Sequence, residues 1–285
     1  MAGIRGNAEV IATPQPSVLR YGLFSAATVL DDLDPRGIAA GFQLPAEDCG
    51  IVRTYDANCA THPAKTFDEG LTHLEGVPYW LYATRRCGTV GKTPQEIESS
   101  VRRRFASGEQ RAVEEMLWGG GGVPTDPNLT GTAGVTTVVP SAPGSGAAIA
   151  ALEDAFYDTY GFVGTIHISA RAYANLAFGQ LMQRQGGLWT TQLGSIWSLG
   201  AGYNITGPGG TAPDAGNVWA FMTPPVLIRR SALIVPSVTE TMNRTNNQYN
   251  GLVERVYAHT WTCDTVYAVQ VPIASPSVDT EAEPV

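Results

Sequence analysis

A chain of 285 residues can bury a core without disulfide or metal staples, and its length suits one continuous unit with subdomains. Hydrophobic residues make up 44% and charged residues 15%, with 32 Gly and 19 Pro, which points to extensive sheet, long loops and much surface that faces protein rather than water. The net charge of −8 leaves no basic footprint for nucleic acid or an anionic membrane, and no run approaches the roughly 18 apolar residues of a membrane span.

The opening "MAGIRGNAEVIATPQPS" lacks the apolar centre of a signal peptide, so the expectation is a soluble protein made in a cytoplasm. Residues 1–48 show little periodicity and carry Pro14, Pro16, Pro35 and Pro45, which favour an extended course, an arm. "IVRTY" and "VPYWLYATRR" are β-rich, and the polar stretch between them reads as the tip of a long hairpin. Thr93, Pro94 and Glu96 then supply an N-cap, a first-turn proline and a capping-box acid. Ile97, Val101, Phe105, Ala112 and Met116 recur at helical spacing, Glu98 and Arg102 form an i,i+4 pair, and "WGGGG" stops the helix. The densest positive run, Arg102–Arg104, reads as an exposed face of this helix.

An alternating α/β region follows. Ile149, Leu152 and Phe156 share one face of a helix ending at Gly161, "FVGTIHI" is a buried strand, and "SARAYANLAFGQLMQRQ" predicts a second helix from Ser169 to Gly186. After a glycine-rich stretch, "VWAFM", "VLIRRSALIV", "VERVYAHTW" and "TVYAVQVPI" predict a final antiparallel sheet, the last pair turning at Thr262–Asp264. The tail from Ala274 is acidic.

The motifs that would carry chemistry are incomplete. "GKT" at Gly91–Thr93 sits between a strand and a helix, as in a phosphate-binding loop, but the first glycine of that loop would be residue 86, which is Arg86. The tripeptide is better read as a turn into the capped helix. Cys49, Cys59, Cys87 and Cys263 have no CxxC spacing and read as separate thiols, and Cys49, Cys59 and His62 are too loosely spaced for a zinc site. His167, in an apolar strand, reads as a satisfied core histidine. Glu114, Glu115, Glu153 and Asp154 read as solvated helix faces. No nucleophile, base and orienting group assemble, so no catalytic residue, cofactor or metal is expected, and the chain is not read as an enzyme.

The order of arm, hairpin, long capped helix, α/β region and final sheet resembles the major capsid proteins of tailed bacteriophages, with the Hong Kong 97-type shell fold. "TPQEIESSVRRRFASGEQRAVEEMLWGG" looks like the spine helix of that family, "LEDAFYDTYGFVGTIHIS" with "GGLWTTQLGSIWSLGAGYNITGPGG" like its axial domain, and "MTPPVLIRRSALIV" with "VERVYAHTWTCDTVYAVQVPI" like its peripheral strands. The resemblance implies an α+β chain divided into an N-terminal arm (1–48), an extended loop (49–92), a spine helix with the first part of the peripheral domain (93–144), an axial domain (145–222), peripheral strands (223–273) and a tail (274–285).

It also implies a head protein of the virion, assembled in the bacterial host cytoplasm. Copies would form hexamers and pentamers that close an icosahedral shell around double-stranded DNA, held without sequence-specific binding. Its partners would be other copies of itself and scaffolding, portal and decoration proteins, with no membrane. An encapsulin-type nanocompartment shell would share the fold, and an unrelated cytoplasmic enzyme is the remaining alternative. Some relatives join a lysine in the extended loop to a neighbour's asparagine. Here Lys65 would be the lysine, Asn243, Asn246 or Asn247 the acceptor and Glu240 or Glu254 the base. The polar, acidic surroundings of Lys65 favour its charged form, which argues against the link.

Overall fold

The computed structural model describes residues 16–32, 34–46, 49, 52, 73–88, 92–122, 127–131 and 134–273. The chain forms α1 (Leu23–Ala26), β1 (Thr28–Asp32), α2 (Pro35–Ala39), β2 (Phe42–Pro45), β3 (His73–Gly76) and β4 (Tyr79–Gly88). It continues with α3 (Pro94–Gly119), β5 (Val135–Thr137), α4 (Ser145–Tyr160), β6 (Thr165–Ser169), α5 (Tyr173–Phe178), β7 (Gln183–Gln185), β8 (Leu188–Thr190) and β9 (Ile196–Gly200). Four further strands complete it: β10 (Asn217–Thr223), β11 (Val226–Ser231), β12 (Gln248–Trp261) and β13 (Val266–Pro272).

The strands of the described residues form a four-stranded sheet in the order β1-β11-β12-β4, a seven-stranded sheet in the order β5-β13-β10-β6-β9-β8-β7, and the two-stranded ladder β2-β3. α3 begins where the sequence places it. Thr93 Oγ1 accepts from Glu96 N at 3.2 Å while Glu96 Oε2 accepts from Thr93 N at 2.8 Å, so two of the orphan donors at the helix start are satisfied. It ends at Gly120, which takes the left-handed conformation (φ 73°) that a side chain would resist.

The first half of α3 lies across the four-stranded sheet. A Cβ built at Gly251 of β12 would sit 2.7 Å from Val101 Cγ2, so only glycine permits this approach. Val101 and Phe105 join Tyr79, Val253 and Tyr257 in one core, which continues through Leu117 and Trp118 to Phe221 and Ala268 of the seven-stranded sheet. The other face of that sheet, with Val218, Ala220, Met222, Val269 and Val271, is covered by Ile149, Leu152 and Phe156 of α4.

Several expectations are corrected. Residues 23–45 do not run as an extended arm: Leu23 and Ile38 are fully buried and β1 pairs in parallel with β11. The strand Tyr79–Gly88 pairs with β12, while the strand that meets β3 is Phe42–Pro45; the proposed outgoing run 50–58 lies, except for Val52, outside the described residues, as does the hairpin tip. The second helix stops at Phe178 instead of Gly186, because Ser169 is spent as the buried last residue of β6 and Gln183–Gln185 pair with β8. The last two strands do not form one hairpin sheet. β12 stays in the four-stranded sheet, whereas β13 pairs with β10 and β5, because both of its faces are buried, against α3 and α4.

Cys49 and Cys263 are not separate thiols; they form a disulfide across 214 residues, a pairing no local spacing could announce. It ties Cys49 to the turn between β12 and β13. Closing so long a loop restricts the unfolded chain, so reduction or Cys263→Ser is expected to lower stability by as much as about 5 kcal/mol. Denaturant unfolding with and without reductant measures this, and alkylation before reduction should leave both cysteines unlabelled.

Candidate functional site

Among the described residues the groups singled out for chemistry do not come together. Arg86 lies in β4 opposite Asn250, with Nε 3.3 Å from Asn250 Oδ1, and Thr93 is fully engaged in the capping box; Gly91 lies outside the described residues. Among the described residues no three His, Cys, Asp or Glu side chains cluster as metal ligands. Cys59 and His62 lie outside the described residues, and Cys49 is committed to its disulfide. A cleft of about 750 Å³ between α4 and the loops at Val138–Ser141 and Thr191–Leu193 is lined mainly by apolar side chains such as Val139, Ile149, Leu181 and Leu193.

Two of the four carboxylates read as solvated are buried. Glu114 has no exposure and accepts from Leu23 N (3.1 Å), Gln110 Nε2 (3.0 Å) and Gly202 N (2.9 Å). Burial raises its pKa above the ordinary carboxylate value, partly offset by those hydrogen bonds. The second half of α3 is covered by the sheet core on one side and by α1 with the loop at Ala201–Gly202 on another, so the side that carries Glu114 is not solvated. Leu117 and Trp118, apolar on the side away from Phe105, were the available signal. Glu153 accepts from Thr191 Oγ1 (2.5 Å) and Ser195 Oγ (2.6 Å), pinning the loop before β9 to α4. Glu115 and Asp154 do face solvent, Glu115 paired with Arg111 at 2.9 Å.

Glu109 was not singled out by its sequence context. It accepts from Arg255 Nη1 at 2.6 Å and from the Tyr257 hydroxyl, and lies 3.5 Å from Arg230 Nη1, which joins one flank of α3 to β12 and β11. Arg230 in turn pairs with Asp31 of β1 at 2.5 Å.

The residues named for a covalent link are placed as follows. Asn243 bridges Gln248, and its Oδ1 accepts from Thr245 N (3.0 Å) and Asn246 N (3.3 Å), which makes it the organiser of its own turn. Asn246 is exposed, as is Asn247, which has φ 52°. Glu240 is exposed in the same loop; Glu254 lies on β12 opposite Tyr82, roughly 20 Å along the strand from Gln248. Within one chain Glu254 is therefore not beside these asparagines. Lys65 lies outside the described residues.

What the surface offers instead is contact. Trp80 and Tyr82 on β4, Val139, Phe178 and Leu193 are exposed large side chains, Phe178 to 87%. β4 is an edge of its sheet among the described residues.

No protein-family model and no curated protein matches the chain. Its shape does match solved structures. The capsid of an empty GTA particle superposes with a TM-score of 0.58 over 94% of both chains at 13% identity. The capsid of the native GTA particle gives 0.55 over 92% of this chain and 96% of that one, at 14% identity. A chain from Mycobacterium phage Adephagia gives 0.56 over 94% and 96%, also at 14% identity. The fold is therefore α+β, of the Hong Kong 97 shell type.

The buried histidines set an acid limit on this fold. His167 lies between Tyr203 Oη (3.0 Å from Nδ1) and Thr223 Oγ1 (2.9 Å from Nε2), and desolvation pushes its pKa down to about 3. His259 donates from Nε2 to Pro127 O at 3.0 Å, faces Tyr79 Oη at 3.2 Å from Nδ1, and is pushed down to about 4 by burial. Unfolded histidine titrates near 6.5, so the unfolded state binds more protons below that pH and stability falls as pH drops from about 6.5 towards 4. His259 alone accounts for about 3 kcal/mol of this. His259→Gln, which can keep one donor and one acceptor, is expected to flatten the slope of unfolding free energy against pH.

Proposed function

We propose that this chain is the shell subunit of a phage-type head: many copies associate through several edges into hexamers and pentamers that close around double-stranded DNA. The observation that carries the reading is the likeness in shape to capsid chains over nearly the whole length. The surface supports it. Large apolar side chains stay exposed on separate elements, from Trp80 and Tyr82 on β4 to Phe178 after α5, and contacts in more than one direction are what a closed assembly requires.

In this reading the elements divide the labour. α3 and β12 make a stiff beam, α3 alone being about 39 Å long. The segment between β2 and β3 serves as the extended loop that reaches a neighbour, with the β2–β3 ladder and the Cys49–Cys263 bond fixing its base. The α4–β6–β9 region faces the capsomer axis. The acidic balance of the chain keeps packaged DNA from adhering to the shell.

The purified chain, expressed with any scaffold it needs, is expected to sediment as capsomers or shells and to give closed particles in electron micrographs. A stable monomer that turns over a small substrate would sink the reading, and particles filled with a protein cargo and no nuclease-protected DNA would favour a nanocompartment. Because Asn243 is engaged in its own turn and Lys65 has acidic neighbours in sequence, the particles are not cross-linked through these residues. Boiled in detergent with reductant, they are expected to run as one band of monomer size. A ladder that vanishes in Lys65→Ala would reverse that.

A further inference from the structure

The sequence singles out Arg102–Arg104, and the fold divides that run. Ser100, Arg103 and Arg104 stand at i, i+3 and i+4 and share one flank of α3, whereas Glu98, Arg102 and Glu109 share the other. The second flank is satisfied within the subunit: Arg102 pairs with Glu98 at 2.9 Å, and Glu109 holds Arg255 and Tyr257 of β12. The first flank overhangs the outer edge of β4. Arg104 Nη1 donates to the Thr84 carbonyl at 3.2 Å, and Arg85 Nη1 donates to Ser100 Oγ. Arg103 is exposed and, among the described residues, faces no carboxylate at ion-pair distance. Arg86 stands on the opposite face of β4, beside Asn250. Arg85, Arg103 and Arg104 therefore rim a strand edge that no described strand occupies, in a chain of net charge −8.

The same chain contains a matching segment. In "SVDTEAEPV" the acids Asp279, Glu281 and Glu283 fall at every second position. In an extended strand all three would lie on one face, about 7 Å apart, which would turn three carboxylates towards the basic rim. We infer that the outer edge of β4 is a docking site for the acidic tail of a second copy, added as a strand whose alternate carboxylates meet Arg103, Arg104 and Arg85. The tail comes from a neighbour because Ile273 is held in the seven-stranded sheet, by Gly216 O at 2.8 Å from its N and by the Asn175 side chain. Arg86 pairs near the start of β12, roughly 35 Å along that strand from Trp261, and from there β13 carries the chain on along β10 of the other sheet before it reaches Ile273. The five residues between Ile273 and Asp279 span at most about 20 Å. The inference needs a second copy but not a closed shell.

The test uses the full chain carrying Asp279→Asn, Glu281→Gln and Glu283→Gln as the acceptor and a fluorescent peptide of residues 274–285 as the probe, followed by anisotropy at low salt. Saturable binding is expected, weakened at least tenfold by Arg103→Glu with Arg104→Glu and lost when the same three acids of the peptide are amides. Arg103→Glu alone, at an exposed position with no bond among the described residues, should weaken binding while leaving the circular dichroism and melting temperature unchanged. An inert peptide, or binding indifferent to these arginines, overturns the proposal. So does a DNA oligonucleotide that binds through Arg103 and Arg104 while the peptide does not. An unsubstituted chain that stays monomeric and refuses the peptide would show that its own tail fills the edge, which overturns the role of the neighbour. Failure here leaves shell formation untouched, whereas a chain that takes the peptide yet never forms particles would sink the shell reading alone.

Discussion

A single helix of 26 residues has to be buried along its length by two sheets that share no strand, and most of the subunit can be derived from that constraint. Its first half needs a flat, close bed, which β12 provides at Gly251. Towards its end it is also covered by α1, the loop at Ala201–Tyr203 and one face of the seven-stranded sheet. Trp118 shows the junction most clearly: its ring meets Tyr203 at 5.1 Å and Phe221 at 4.9 Å, and its Nε1 donates to Thr206 O at 3.1 Å. The same demand makes the seven-stranded sheet two-faced, since β10 and β13 must serve α3 on one side and α4 on the other.

Enclosure on both sides also explains the buried polar groups. Glu114 lies at a point where three segments end their own hydrogen bonding, and its two oxygens take up the backbone N–H groups of Leu23 and Gly202 that would otherwise be orphaned. His167, flanked by Ile166 and Ile168 on a strand buried on both faces, points to the α3 side and is kept neutral between two hydroxyls. These groups fix which segment meets which, where apolar packing alone would tolerate slippage. Where α3 faces out, the chemistry differs. The flank over β12 is closed by Glu109 within the subunit, and the flank over the edge of β4 is left with arginine charge, so the helix is finished on one side and open to another chain on the other.

The local chemistry of single elements was legible from residue order: the capping box at Thr93, the stop at Gly120, the α4 stripe of Ile149, Leu152 and Phe156, and the core position of His167. Each rests on contacts within a few residues, or on burial that the periodicity itself announces. The resemblance that named the fold rested on the order of such elements, and the superposition on capsid chains at 13–14% identity bears it out. Tertiary structure alone decided which strand of the last hairpin joined which sheet, that Cys49 meets Cys263 across 214 residues, and that Glu114 and Glu153 are interior while Glu115 and Asp154 are not. A carboxylate on a helix has the same neighbours in sequence whether water or a second layer covers it, and a strand with apolar residues on both faces fits either sheet. What breaks these ties is the close approach of segments a hundred or more residues apart, which the sequence makes favourable but does not spell out.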